Sequence, residues 1–87
     1  MTTITWNPSA LKALRKLDKA IADRILRKLN DEVRNNVLRY LETLVGEKGY
    51  KIRVGEHRLF VDYDRQVDNL TIRAIRHRRN AYKNAVF

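Results

Sequence analysis

The sequence predicts an α+β fold, a small antiparallel β-sheet with an N-terminal strand and a helical hairpin packed on one face. Three patterns carry this reading. Apolar residues recur at helical spacing from Leu11 to Val33, three segments after Gly49 alternate at period two, and the N-terminus is short and β-branched. The expected element order is β-α-α-β-β-β.

Residues 2–6 form the first expected strand, with Ile4 and Trp6 on the same face by parity. Asn7-Pro8 starts a helix: Asn suits the N-cap, and Pro at the first helical position lacks an N–H that would be unpaired anyway. Leu11, Leu14 and Leu17 then give its apolar stripe. Asp18 reads as a second N-cap after a tight break, and Ile21, Ile25 and Leu29 form the next stripe, widened by Ala22, Leu26 and Val33. Lys12, Arg15, Lys16, Lys19, Arg24, Arg27 and Lys28 occupy the opposite face and read as solvated. Asn35-Asn36 breaks the pattern. Residues 37–44 fit either a short helix or a packed irregular segment, closed by Gly46 and Gly49.

Residues 50–54 and 58–63 are expected strands, joined through Gly55-Glu56 as a two-residue hairpin loop with Gly at its first central position. A polar turn at 64–69 leads to a third strand at 70–76, and residues 80–86 read as a short helix or a loose end. Parity assigns the faces. Ile52 and Val54 point one way, Lys51 and Arg53 the other, and the hairpin brings Arg58 near that pair. If the helices cover Ile52 and Val54, the cations stand on an open face. On the last strand Leu70, Ile72 and Ala74 alternate with Thr71, Arg73 and Ile75, which directs Arg73 to the open side. Trp6 and Phe60 read as core, and His57 as a residue flanking the turn.

Eighty-seven residues with 44% hydrophobic content suit one domain, 1–87, with one small core. The formal net charge is +9, and cations crowd the C-terminal third: Lys51, Arg53, Arg58, Arg73, Arg76, Arg78, Arg79 and Lys83. Like charges repel across a sheet, so this concentration does not serve stability. It points to a polyanionic partner, with nucleic acid foremost. The absence of cysteine excludes a disulfide framework and a thiolate zinc site, and two histidines alone do not make a structural one. No apolar run approaches the roughly 18 residues of a membrane span, and no signal-peptide pattern is present. A cytoplasmic protein without a membrane partner is expected.

Three motifs go further. L-K-A-L-R-K-L at 11–17, Y-K-I-R-V-G-E-H-R at 50–58 and R-H-R-R-N-A-Y at 76–82 resemble the RelE/ParE toxin superfamily, in order and over essentially the whole chain. Similarity to RelE-type members implies the toxin of a type II toxin–antitoxin system. Its activity would be that of a ribosome-dependent endoribonuclease, an mRNA interferase cutting mRNA in the A site. The implied chemistry is attack of the ribose 2′-OH on the adjacent phosphate, leaving a 2′,3′-cyclic phosphate, with no metal or other cofactor. A RelB-like antitoxin is the implied inhibitor, in a heteromeric complex.

The catalytic set implied by the resemblance is Lys51, Arg53, Arg58, Arg78 and Tyr82. Crowding by Arg53 and Arg58 makes Lys51 the best candidate base. Arg hardly deprotonates, so Arg53, where some relatives carry Lys, would stabilise charge beside Arg58 on the phosphate. Arg78 would serve the leaving 5′-oxygen, and Tyr82 would stack on a base and orient the 2′-OH. His77 is a separate acid–base candidate because imidazole titrates near neutrality. Arg73, Arg76, Arg79 and Lys83 would bind RNA. The competing readings are solvated strand cations, a surface ion pair of Arg58 with Glu56 or Asp62, and Tyr82 packed on the sheet. At the level of function, the alternatives are a ParE-like DNA gyrase poison and a non-catalytic basic RNA- or ribosome-binding module.

Overall fold

The computed structural model describes residues 1–78. Its elements run β1 (Thr3–Trp6), α1 (Pro8–Lys16), α2 (Lys19–Asp31), a 3-10 turn (Val33–Asn35), α3 (Val37–Tyr40), β2 (Glu42–Thr43), β3 (Tyr50–Val54), β4 (His57–Asp64) and β5 (Asn69–His77). Segment 37–44, for which the sequence left two readings, is thus a four-residue helix followed by a two-residue edge strand. The expected terminal segment 80–86 lies outside the described residues.

The five strands form one sheet in the order β1-β5-β4-β3-β2. The sheet is mixed, which corrects the expectation of a purely antiparallel one: β1 runs parallel to β5, with Ile4 beside Leu70 and Trp6 beside Ile72. Residue alternation is the same for either strand direction. Parallel pairing needs a long crossover, and here the helices and three strands supply it.

The helices cover one face. Ala10 and Leu14 of α1, Ile25 and Leu29 of α2, and Val33 and Val37 meet Ile52, Val54, Leu59, Val61, Leu70, Ile72 and Ile75 in one core. Asn7 and Asp18 stand at the N-caps of α1 and α2, yet neither side chain makes a capping hydrogen bond. Their contribution comes through the backbone, where their carbonyls accept from the amides of Leu11 and Ala22.

Two turns fix the strand register. Gly55 takes φ +59, the first-position conformation of a type II′ hairpin, and pairs Val54 with His57 across the loop. A bulge alters the expected parity of β5. Phe60 faces Ala74 while Val61 faces Ile72, leaving Arg73 as the extra residue. Ile75 therefore turns into the core and Ala74 out of it, the reverse of simple alternation. At the far end of the sheet, Asp68 ties β1 to the β4–β5 turn. Its carbonyl accepts from the Thr3 amide, and its Oδ1 accepts from Thr2 Oγ1 at 2.8 Å and Tyr63 OH at 2.6 Å.

Candidate nucleic-acid interface

The face of the sheet away from the helices carries the cations. Direct partners in an antiparallel ladder project to the same side. Arg53 pairs with Arg58, and Arg58 pairs in turn with Arg76, so three arginines on β3, β4 and β5 stand side by side. One step along, Lys51 pairs with Phe60 and Phe60 with Ala74. Phe60 is half-buried but takes no part in the hydrophobic core, contrary to the reading of it as a core residue. Trp6 does pack against the core, as expected.

The members of the row are held differently. Arg58 is 6% exposed, and its Nη1 donates to the carbonyls of Gly55 at 3.2 Å and His57 at 3.1 Å. The competing reading of an ion pair with Glu56 or Asp62 does not hold among the described residues; its guanidinium is locked onto its own hairpin. Arg53 is exposed and, among the described residues, has a loose ion pair with Glu42 at 4.0 Å. Arg76 is exposed and donates to the carbonyl of Ile75. Arg73 is engaged by Asp62: its buried Nε lies 3.2 Å from Oδ2, close enough for an ion pair but without the alignment of a hydrogen bond. Arg73 thus has an acidic neighbour within the chain, in a pair that is partly open to solvent.

Two helical cations join the hairpin. Lys28 Nζ donates to the carbonyl of Arg53 at 2.9 Å, and the Arg24 guanidinium lies beside Gly55. The sequence placed both on a solvated face. Their positions depend on how α2 crosses the sheet, which a helical stripe does not encode.

His77 is separated from this set. It pairs with His57, which itself faces the buried Val54, so both imidazoles lie on the helix side of the sheet. Their rings meet edge to face with centroids 5.2 Å apart. His57 is more than a turn-flanking residue, since it is almost fully buried. Burial and the neighbouring His77 push its pKa below the usual histidine value, against a smaller opposing effect of Glu56. Arg78 follows β5, and its amide donates to the carbonyl of Glu56 at 2.7 Å, fixing the chain against the hairpin loop. Arg79, Tyr82 and Lys83 lie outside the described residues.

A locked guanidinium flanked by two exposed ones, with a lysine and an aromatic ring one step away, suits a phosphodiester and an adjoining base. The family profile of the ParE toxin of the type II toxin–antitoxin system, parDE, matches residues 4–82. The chain belongs to this family. No curated protein matches this toxin significantly in sequence. Solved structures do match in fold. The RelBE2 toxin–antitoxin complex from Mycobacterium tuberculosis is similar with a TM-score of 0.81 at 23% identity, over 88% of this chain and 98% of the other. The isolated RelE toxin of E. coli is similar with a TM-score of 0.75 at 23% identity, over 99% and 96%. The archaeal RelE–RelB complex from Pyrococcus horikoshii gives 0.73 at 20% identity, over 88% and 94%. The RelE/ParE resemblance read from the three motifs is thus confirmed, as is the mixed helix-and-sheet fold.

Proposed function

We propose that this toxin is a ribosome-dependent endoribonuclease that cleaves mRNA in the A site. The observation that carries the reading is the Arg53–Arg58–Arg76 row with Lys51 and Phe60 beside it. Three adjacent arginines on the sheet face away from the helices, Arg53 and Arg76 exposed and Arg58 buried between them, can stabilise the pentavalent phosphate, whose added negative charge appears only as the reaction proceeds. Locking Arg58 onto two carbonyls fixes its direction before the substrate arrives, so little reorganisation remains for the transition state.

In the proposed step the 2′-oxygen bonds to phosphorus, the bond from phosphorus to the 5′-oxygen breaks, and a 2′,3′-cyclic phosphate remains. Lys51 accepts the 2′-OH proton, Arg78 stabilises the negative charge on the departing 5′-oxygen, and that oxygen takes its proton from water. Phe60 supplies a stacking surface for a neighbouring base. His77, on the other face, is assigned no step. The cognate antitoxin is the inhibiting partner in this reading, as RelB is the partner in the RelE–RelB complexes that share the fold. The site of action is then the cytoplasm.

The test is in vitro translation with purified ribosomes and a short mRNA, with primer extension to map any cut. Ribosome-dependent cleavage that disappears in Arg53→Ala/Arg58→Ala establishes the reading, and intact mRNA with unimpaired translation overturns it. The family match to the ParE toxin favours one second reading, poisoning of DNA gyrase. A supercoiling assay with accumulation of cleaved DNA distinguishes it.

A further inference from the structure

Away from the cationic row, at the end of the sheet where β1 begins and β4 turns into β5, lies a recess of about 400 Å³ lined by Thr2, Arg34, Asn36, Val37, Leu38 and Asp68 among others. Two independent features set it apart. The first is electrostatic: Arg34 is half-buried, and its Nε is buried with no hydrogen-bond partner. A buried Nε–H left without an acceptor costs free energy until one arrives. Asp68 also lines the recess, but its Oδ1 already accepts from Thr2 and Tyr63, and no ion pair links it to Arg34. The second feature is apolar. Among the described residues the exposed large hydrophobic side chains are Met1 (92%), Leu38 (55%), Val45 (100%) and Val67 (68%). Met1 and Leu38 line this recess, whereas Val45 and Val67 do not.

We propose that this recess is a second docking surface for the antitoxin, which seats there a segment carrying a carboxylate beside an aliphatic side chain. The inference rests on the proposed antitoxin partnership and adds a location and a chemistry to it. The carboxylate meets Arg34 and supplies the missing acceptor, and the aliphatic group covers Met1 and Leu38. Charge complementarity selects this occupant. A second copy of a chain with net charge +9 is repelled at long range, whereas an acidic segment is attracted. The recess and the cationic row lie at opposite ends of the β4–β5 hairpin, so a partner using both must wrap the sheet. Binding at both raises affinity through effective concentration.

The experiment titrates the full-length toxin with its cognate antitoxin by calorimetry, wild type first. It then compares Arg34→Glu and Leu38→Asp, with circular dichroism confirming the fold. Hydrogen exchange on the wild-type complex gives a readout that needs no substitution. The expected results are affinity lower by about ten- to hundredfold in Arg34→Glu, and slowed exchange at residues 34–38 and 67–68 in the complex. Unchanged exchange at those residues overturns the inference while leaving the partnership intact, as does an Arg34→Glu affinity within about twofold of wild type. Slowed exchange that appears with rising toxin concentration alone assigns the recess to a second copy and also overturns it. Failure of the wild type to bind the antitoxin at all overturns the partnership, and the docking inference falls with it.

Discussion

Arg53 and Arg58 stand directly opposite one another across the β3–β4 ladder, two residues from the hairpin loop. Like charges at such a position oppose sheet formation by several tenths of a kcal/mol, of order 0.2–1. The fold accepts this because Arg58 is anchored on the Gly55 and His57 carbonyls and Arg53 stays solvated. Stability and function therefore pull apart at this pair. Arg53→Thr should leave the melting temperature unchanged or raise it, while reducing mRNA cleavage by about 10²-fold. Calorimetric melting beside the primer-extension assay checks both halves.

Arg58 tests the importance of fork geometry. Arg58→Lys keeps the charge but cannot reproduce a planar guanidinium held by two carbonyls. Cleavage should fall by about tenfold or more even though the net charge is unchanged. Rates under single-turnover conditions report the loss without interference from product release.

Phe60 and Leu59 are chain neighbours with opposite assignments. Leu59 is fully buried in the core, and Phe60 lies on the cationic face. Leu59→Ala should cost about 2–5 kcal/mol of stability. Phe60→Ala should cost less stability and weaken single-stranded RNA binding by about 1–3 kcal/mol. Urea denaturation and fluorescence anisotropy with a short oligonucleotide separate the two effects.

His57 gives the fold a pH dependence. Its pKa is lowered in the folded state by burial and by His77, so the unfolded chain takes up the proton first as pH falls. The contribution is complete above the unfolded value of about 6.5 and is lost progressively below it. His57→Phe should flatten the stability profile below about pH 6.5. Chemical denaturation at a series of pH values reads this directly.

Asp68 acts at lower pH. Hydrogen bonds from Tyr63 and then Thr2 hold its carboxyl below the usual aspartate value, so its contribution is present above about pH 4 and lost as pH falls through the folded value. Its φ of +52 is one that Asn also tolerates. Asp68→Asn should therefore keep the turn and remove this acid-dependent loss. Thermal melts between about pH 2 and 5 check it.

Gly49 is constrained by contact as well as by conformation. It has φ +99, and a Cβ there would lie 3.0 Å from the Val61 carbonyl oxygen and 2.9 Å from Arg73 Nη2. Gly49→Ala should destabilise by more than about 1 kcal/mol and disturb the Arg73–Asp62 ion pair. The same melting assay applies.

Much of this protein is legible in the residue order alone. The helical stripes of Leu11–Leu14 and Ile25–Leu29, the Gly55-Glu56 loop and the outward parity of Lys51 and Arg53 follow from local periodicity and turn chemistry, which neighbouring residues encode. Three motifs with their spacing sufficed to indicate the toxin superfamily. What the tertiary structure decided depends on contacts between residues far apart in the chain. The parallel pairing of β1 with β5 is invisible to alternation. The bulge at Arg73 turned Ile75 inward and Ala74 outward, because ladder partners and not chain parity set the face beyond it. Phe60 left the core for the same reason that Arg58 left the surface: hydrophobicity predicts a side chain's preference, but the strand register fixes the face it occupies and the groups it meets.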